Sequence, residues 1–386
     1  MNRIYLDNAA TTKLHPKVLE AMLPYLKDDF GNPSSIHSYG RKVKAAIEET
    51  RELVAEFISC DASEIYFTSS GTEANNFVLF GIAETGLTEL NRKKLLTTKI
   101  EHKSVIDPFN ELTKSGFNVN FLDVNSNGIL VEEVLLENLT GNDISLVSVI
   151  HTNNETGIKN DIPQLLGIVK KYNAYFHTDA VQSFGKEPLD VKELCIDSLT
   201  GSAHKIHGPK GIGFAYVKNG TPMSPLIYGG SQERNRRAGT ENVAGIIGFG
   251  EAVKLADKEM QTRSEYVRRL RQYFINGLSL LNSRGIKINE TKNNSPYVLS
   301  VTFLPDYYKA DSESMLMYLD INGIAASSGA ACTSGTVKPS HVIKAMHNDD
   351  KLASATIRFS FSAENTFEEI DSVLEVLQKM LKNIKK

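Results

Sequence analysis

The sequence predicts an α/β protein, with a largely parallel sheet covered by helices on both faces and a smaller α+β part after it. Two observations carry this reading. Through the first two thirds of the 386 residues, short β-branched or aromatic runs alternate with longer amphipathic stretches. After one long helical stretch, the chain then restarts with strand, helix, strand and a last helix. The strand candidates are 64–68, 94–99, 117–124, 144–150, 174–178, 196–200 and 211–217. Most are nearly continuous in apolar residues, as strands buried on both faces are. Before the first of them, Val43, Ile47, Leu53, Val54, Phe57 and Ile58 recur at helical spacing with charges on the opposite face. The long helical stretch covers about 241–281, and the later strands fall at 297–304 and 355–361. The last helix opens with Thr366 and Glu369 spaced as a capping box and presents Phe367, Ile370, Leu374, Leu377 and Leu381 on one face. We expect a large domain over 14–255 and a small α+β domain over 256–386, with 1–13 packing against the latter.

Composition narrows the function. Hydrophobic residues make up 41 % and charged residues 23 %, enough for a substantial core. Lys+Arg 43 against Asp+Glu 46 gives a net charge of −3, so no basic field for nucleic acid stands out. No apolar run reaches the ~18 residues of a membrane span, and the first residues lack a signal-peptide pattern. The three cysteines, Cys60, Cys195 and Cys332, lie far apart and form no CxxC pair, which argues against a disulfide framework or a cysteine-rich zinc module. A cytoplasmic enzyme is the expectation.

The stretch Thr200-Gly-Ser-Ala-His-Lys-Ile-His-Gly-Pro-Lys-Gly-Ile-Gly213 follows a strand, so its polar residues emerge at the end of the sheet. Alone, Lys205 reads as an ordinary loop lysine. A Walker-type loop is not supported, because GxxxxGK[ST] is absent. His204 and His207 have no cysteine or carboxylate ligand nearby and make a poor zinc pair. Asp179, in His177-Thr-Asp-Ala-Val-Gln182, changes the odds because it too ends a strand. Pyridoxal phosphate needs a lysine amine for covalent attachment and a carboxylate that keeps its ring nitrogen protonated. Its phosphate needs a cradle. Phe67-Thr-Ser-Ser-Gly-Thr-Glu-Ala-Asn75 runs from strand into helix and offers backbone N–H groups, the Thr72 hydroxyl and a positive dipole end. As a lone motif it is only a helix cap. Ser202 and His204 can add phosphate contacts.

Several motifs occur together in one order: Asp7-Asn-Ala-Ala-Thr-Thr12, Gly31-Asn-Pro-Ser-Ser35, Thr68-Ser-Ser-Gly-Thr-Glu73, Glu101-His102, Asn153-Asn-Glu155, Asp179-Ala-Val-Gln182, Ser202-Ala-His-Lys205, Gly229-Gly-Ser-Gln-Glu233 with Arg237-Ala-Gly-Thr240, and Ser328-Gly-Ala-Ala-Cys-Thr-Ser-Gly335. Over residues 7 to about 370 the chain resembles the cysteine desulfurases of the class V aminotransferase group, in the NifS/IscS-like, long-loop branch. The resemblance implies a pyridoxal phosphate-dependent transferase type I fold, with a mostly parallel seven-stranded sheet. It implies that Lys205 carries the cofactor, His102 stacks on its ring and helps move protons, Asp179 pairs with the ring nitrogen and Gln182 bonds the ring hydroxyl. Gly71, Thr72, Ser202 and His204 would hold the phosphate, joined by Thr240 from the second subunit of a homodimer. Asn154 would lie between cofactor and substrate, and Arg358 would clamp the substrate carboxylate. Read without the resemblance, Asn154 is equally a turn residue and Arg358 an exposed strand arginine. His151 and His177 are expected to be structural, and Cys60 and Cys195 to be incidental or packing cysteines.

Cys332 sits among Ser327, Ser328, Gly329, Ala330, Ala331, Thr333, Ser334 and Gly335, with almost nothing apolar to bury. This reads as the tip of a mobile, exposed loop. The resemblance implies that its thiolate attacks the sulfur of L-cysteine, leaving a persulfide and L-alanine. A thiol with a pKa of ~8.5 is mostly protonated at neutral pH, so a local base is expected to assist, with His102 the candidate. No intrinsic metal is expected, although Cys332 could transiently ligate a cluster shared with a scaffold partner. The sulfur would go to an iron–sulfur scaffold or to a tRNA-thiolation acceptor. Because the chain stops at Lys386, without the C-terminal docking tail of IscS-like members, scaffold docking is expected to differ. The competing readings are a selenocysteine lyase, another enzyme of the class V group, or a sulfur-relay protein with a vestigial site.

Overall fold

The seven strand candidates of the first two thirds join one sheet. A computed structural model describes residues 3–141, 143–282, 284–309, 311–329 and 338–386. The strand β1 (Ile4–Tyr5) comes first in the chain. Then β2 (Ile65–Thr68), β3 (Lys94–Thr98), β4 (Asn118–Leu122), β5 (Ile144–Ser148), β6 (Tyr175–Asp179), β7 (Ser198–Ser202) and β8 (Gly213–Val217) form a sheet in the order β2-β8-β7-β6-β5-β3-β4. Only β8 runs opposite to the other six strands, being antiparallel to both β2 and β7. The expected mostly parallel α/β sheet is therefore present.

Alternate residues of these strands feed two cores, one on each face. Ile65, Phe67, Leu96, Phe214 and Tyr216 point to one, and Tyr66, Leu95, Ala215 and Val217 to the other. That two-sided burial is the physical reason the strands read as continuous apolar runs. Phe184, Phe214 and Phe249 form the centre of the first core. Their ring centroids are 4.7 Å (Phe184–Phe214), 5.8 Å (Phe184–Phe249) and 5.7 Å (Phe214–Phe249) apart. Phe184 lies five residues beyond Asp179, so this packing fixes the turn that follows β6.

A third core surrounds a smaller sheet of β9 (Ile286–Ile288), β10 (Val298–Phe303) and β12 (Thr356–Ser360), in the order β12-β10-β9 and antiparallel throughout. The strand β11 (Ile324–Ala325) pairs in parallel with β1. The 40-residue helix Val243–Asn282 connects the cores: Ile246, Phe249 and Val253 enter the first, and Val267, Leu270, Phe274 and Leu278 enter the third. At ~1.5 Å per residue it is ~60 Å long, enough to span both. The helix Phe367–Ile384 begins with the expected capping box of Thr366 and Glu369. The two-residue strands β1 and β11 and the short β9 escaped the sequence reading, being too short to show a period. Among the described residues, no helix is long and apolar enough to cross a membrane.

Truncating the central ring tests the aromatic core. Phe184→Ala is expected to cost about 3–5 kcal/mol and to lower the melting temperature of the purified protein by several degrees. A melting temperature equal to that of the unchanged protein would show that this ring is not a keystone.

Candidate active site

Parallel strands leave their C-terminal ends along one edge, and ligands bind in the crevice there. The loops after β2, β3, β5, β6 and β7 meet at this edge around a cavity of ≈520 Å³. After β7, a single 3₁₀ turn, Ala203–Lys205, carries the lysine to the cavity wall. Its ammonium donates to the carbonyls of Ala9 (2.6 Å) and Ala10 (2.9 Å). Burial is the main cause that lowers its pKa to about 8, helped by the Arg358 charge and opposed by Asp179 and Asp7.

Asp179 ends β6 and is 3 % exposed. One carboxylate oxygen accepts from the Val181 N–H (2.9 Å) and the other from Asn75 Nδ2 (2.8 Å). Asn75 also donates to Ser104 Oγ (2.8 Å) and accepts from Thr200 Oγ1 (2.6 Å), so its amide is fixed in one orientation. His102 caps the helix Lys103–Lys114 and accepts from the Ser104 N–H at Nδ1 (3.1 Å). That bond assigns the ring proton to Nε2. Burial is the main cause that holds its pKa below the ordinary histidine value, with Asp179 opposing, so the ring is neutral.

The expected phosphate cradle has the geometry of a tight junction. Ser70 caps the helix Gly71–Leu90 by accepting from the Glu73 N–H. A Cβ on Gly71 would stand 2.7 Å from Val181 Cγ2, so only glycine lets the first turn close onto the β6 and β7 loops. Ser202 Oγ is buried here with no hydrogen-bond partner, although a buried hydroxyl ordinarily finds one. His204 bonds Thr11 Oγ1 through Nδ1 (3.1 Å), and burial pushes its pKa down to about 4, so it is neutral. An orphaned hydroxyl, a helix N-terminus and a neutral imidazole form an anion site. Together with a carboxylate and a depressed lysine across one cavity, this donor set fits pyridoxal phosphate.

Arg358 lies in the middle of β12 and is 5 % exposed, which excludes the exposed-strand reading. Nη1 donates to the Asn154 carbonyl (2.9 Å) and Nη2 to Asp7 Oδ1 (2.7 Å). Its Nε and the Asn154 Oδ1 are buried without partners among the described residues.

The cavity thus brings together Gly71, Thr72, His102, Asn154, Asp179, Gln182, Ser202, His204, Lys205 and Arg358. Thr240 does not line it. It is exposed, on a separate small cleft beside Thr68, Ser69 and Arg237. Cys332 lies outside the described residues. Ser327, Ser328 and Gly329, which precede it in sequence, line the cavity. The burial of Cys60 pushes its thiol up to about 12, and Cys195 is exposed with its Sγ on the Lys192 carbonyl. His177, completely buried against Ser148, has its pKa pushed down to about 3 by that burial, in keeping with a structural role. Sequence reasoning gave no site role to Asn75, Ser104 or Asp7, although Asn75 and Asp7 stood in quoted motifs. Their roles lie in bonds to other functional side chains, which no spacing reveals.

The model of the family described as aminotransferase class-V matches residues 4–373. A cysteine desulfurase IscS of Dictyoglomus turgidum is 43 % identical over 382 residues, which are 99 % of this chain and 95 % of that protein. A putative cysteine desulfurase IscS 1 of Bacillus subtilis is 42 % identical over 394 residues, covering 100 % of both. A solved NifS-like protein superposes with a TM-score of 0.91 at 37 % identity, over 99 % of this chain and 100 % of that one.

Asn75→Ala removes one of the two donors that hold Asp179. With ~1–3 kcal/mol at stake for a hydrogen bond to a charged, buried group, the affinity of the apoprotein for pyridoxal phosphate is expected to fall about tenfold or more. Fluorescence titration measures it, and an unchanged affinity would remove Asn75 from the site.

Proposed function

The chain belongs to the aminotransferase class-V family, and from that premise we propose how its residues carry out the reaction. It is a pyridoxal phosphate-dependent cysteine desulfurase that takes sulfur from L-cysteine and releases L-alanine. The observation that carries the residue assignments is Lys205, an amine with a lowered pKa facing Asp179 across a cavity that ends in an orphaned hydroxyl.

When bound, pyridoxal phosphate supplies an electron sink for the electrons of the substrate's Cα–H bond. The residues do the rest. A lysine of pKa about 8 is roughly a quarter neutral at pH 7.5, against about one in a thousand at the ordinary value. Lys205 therefore serves both as the attaching nucleophile and as the base that removes the Cα proton. Asp179, with both oxygens held by N–H donors, keeps a proton at the ring nitrogen. Gln182 bonds the ring hydroxyl, while Gly71, Thr72, Ser202 and His204 hold the phosphate. Arg358 offers its free Nε–H to the substrate carboxylate, and the Asn154 amide lies between substrate and cofactor. His102 holds a proton at Nε2. To act as the base for the Cys332 thiol, as the sequence suggests, it would first have to give that proton up.

Cys332 as thiolate attacks the substrate sulfur. The S–S bond forms, the Cβ–S bond breaks and its electron pair stays with carbon, giving alanine and a persulfide on Cys332. We further propose a homodimer, supported by the exposed Phe30 (74 %), Ile36 (90 %) and Tyr228 (75 %), with Thr240 serving the partner's phosphate site. The division into 14–255 and 1–13 with 256–386 is proposed on the separation of the cores. The sulfur is proposed to supply iron–sulfur assembly or tRNA thiolation in the cytoplasm, where thiols stay reduced.

Cys332→Ala is expected to bind pyridoxal phosphate with its visible absorbance intact and to release no sulfide from L-cysteine; full sulfide release would end the persulfide assignment. The lowered pKa of Lys205 predicts a second result. Below about 8 the amine is protonated and unreactive, so the rate of covalent loading of apoprotein should rise about tenfold per pH unit and level off above 8. Stopped-flow absorbance across pH 6–9.5 measures this. A rise continuing to pH 9.5 would mean an ordinary lysine.

A further inference from the structure

Behind Gln182 lies a second buried lysine that the reaction above does not use. Lys186 is 9 % exposed, its Nζ donates to Gln182 Oε1 (3.1 Å), and it stands 5.4 Å from the centroid of the Tyr297 ring. Gln182 Nε2 donates in turn to the Ala9 carbonyl (2.9 Å). That same carbonyl accepts from Lys205 Nζ (2.6 Å). Four groups therefore form one connected chain: the Lys186 ammonium, the Gln182 amide, the Ala9 carbonyl and the Lys205 amine.

Stability alone does not explain a cation here. Lys205 and Arg358 face it across the site, His204 and His207 from the segment after β7, and Arg263 from the long helix. Glu187, next in the chain, is the carboxylate that favours its charge. Burial, reinforced by Lys205 and Arg358, pushes its pKa down to about 7. A methionine of similar length would fill the space with no desolvation cost, and such replacements of buried charges are often neutral or stabilising. The lysine does have a local use. The two ends of a glutamine amide are alike in shape and opposite in chemistry. An ammonium only donates, so the amide oxygen must face it and the N–H₂ end turns to Ala9.

We propose that Lys186 is a positioning residue: its ammonium fixes the orientation of the Gln182 amide and, through the shared Ala9 carbonyl, sets the place and electrostatic field of the Lys205 nitrogen. This rests on reading the cavity as the pyridoxal phosphate site.

The test uses the holoproteins of the unchanged chain, Lys186→Met and Lys186→Gln, and follows the visible band of the bound cofactor through a pH titration. Removing a positive charge near the Lys205 nitrogen makes protonation there easier. The midpoint is therefore expected to rise by about half a unit or more in both variants. The Met variant keeps the volume and the Gln variant keeps a polar end, so one reports if the other does not fold. An unmoved midpoint overturns the proposal and leaves the cofactor reading intact. A lower melting temperature with an unmoved midpoint marks a merely structural lysine and also overturns it. Absence of the visible band in the unchanged protein overturns both readings.

Discussion

The ammonium of Lys205 rests on two backbone carbonyls, Ala9 and Ala10, from a segment almost two hundred residues earlier in the chain. A lysine at the mouth of a cavity would otherwise extend into water, where its pKa stays high and its amine is spent on hydration. Held against backbone, it is partly desolvated yet keeps hydrogen-bond partners, the condition under which a lysine becomes a nucleophile near neutral pH. The N-terminal segment is what makes this possible. Thr12 bonds the His204 carbonyl, Asn8 reaches Ser360 and Asn365, and Asp7 reaches Arg358. Six residues thus stitch the edge of the large sheet to the small one.

The same constraint sets the charge balance of the cavity. Among the described residues, Lys205 and Arg358 are the cations that line it, set against Asp179 and Asp7. Glu101, beside His102, does not add to the negative side at neutral pH: burial pushes its carboxyl up to about 8, and Asp179 reinforces the shift. It acts as a neutral acid beneath the site, accepting from Thr98 Oγ1 and the Ile150 N–H. His102 and His204 are neutral as well, by burial. With the imidazoles neutral and the spare carboxyl protonated, the cavity's charge is confined to the Lys205 and Arg358 cations and the Asp179 and Asp7 carboxylates.

Much of this arrangement was legible in the sequence, for a physical reason. A parallel sheet buried on both faces must spell its strands as apolar runs, and its functional loops must follow those runs, so Asp179 and Lys205 announced themselves by position. The reversed direction of β8 was not legible, because an apolar strand reads alike in either sense. Nor were β1 and β11, whose two residues each carry no periodicity. Within the site, the cavity-lining Lys205, Asp179 and His102 stood in motifs given a role, whereas Asn75, Ser104 and Asp7, whose bonds run to other site side chains, were given none. Asn75 reads as an unremarkable helical polar residue until its bonds to Asp179, Ser104 and Thr200 are seen.

Arg358 shows why the small sheet belongs to the chemistry. Its two terminal nitrogens are already occupied by Asp7 and by the Asn154 carbonyl, so the guanidinium is compensated and oriented before any substrate arrives. A buried arginine left bare would carry a large desolvation penalty; one fully paired would have nothing to offer. The unpartnered Nε is the compromise between these limits. Asp7, which orients Arg358, lies two residues before Ala9, which supports the Lys205 amine. The Arg358 guanidinium and the Lys205 amine are thus held by one stretch of backbone, Asp7 to Ala10, which lies between the large and the small sheet.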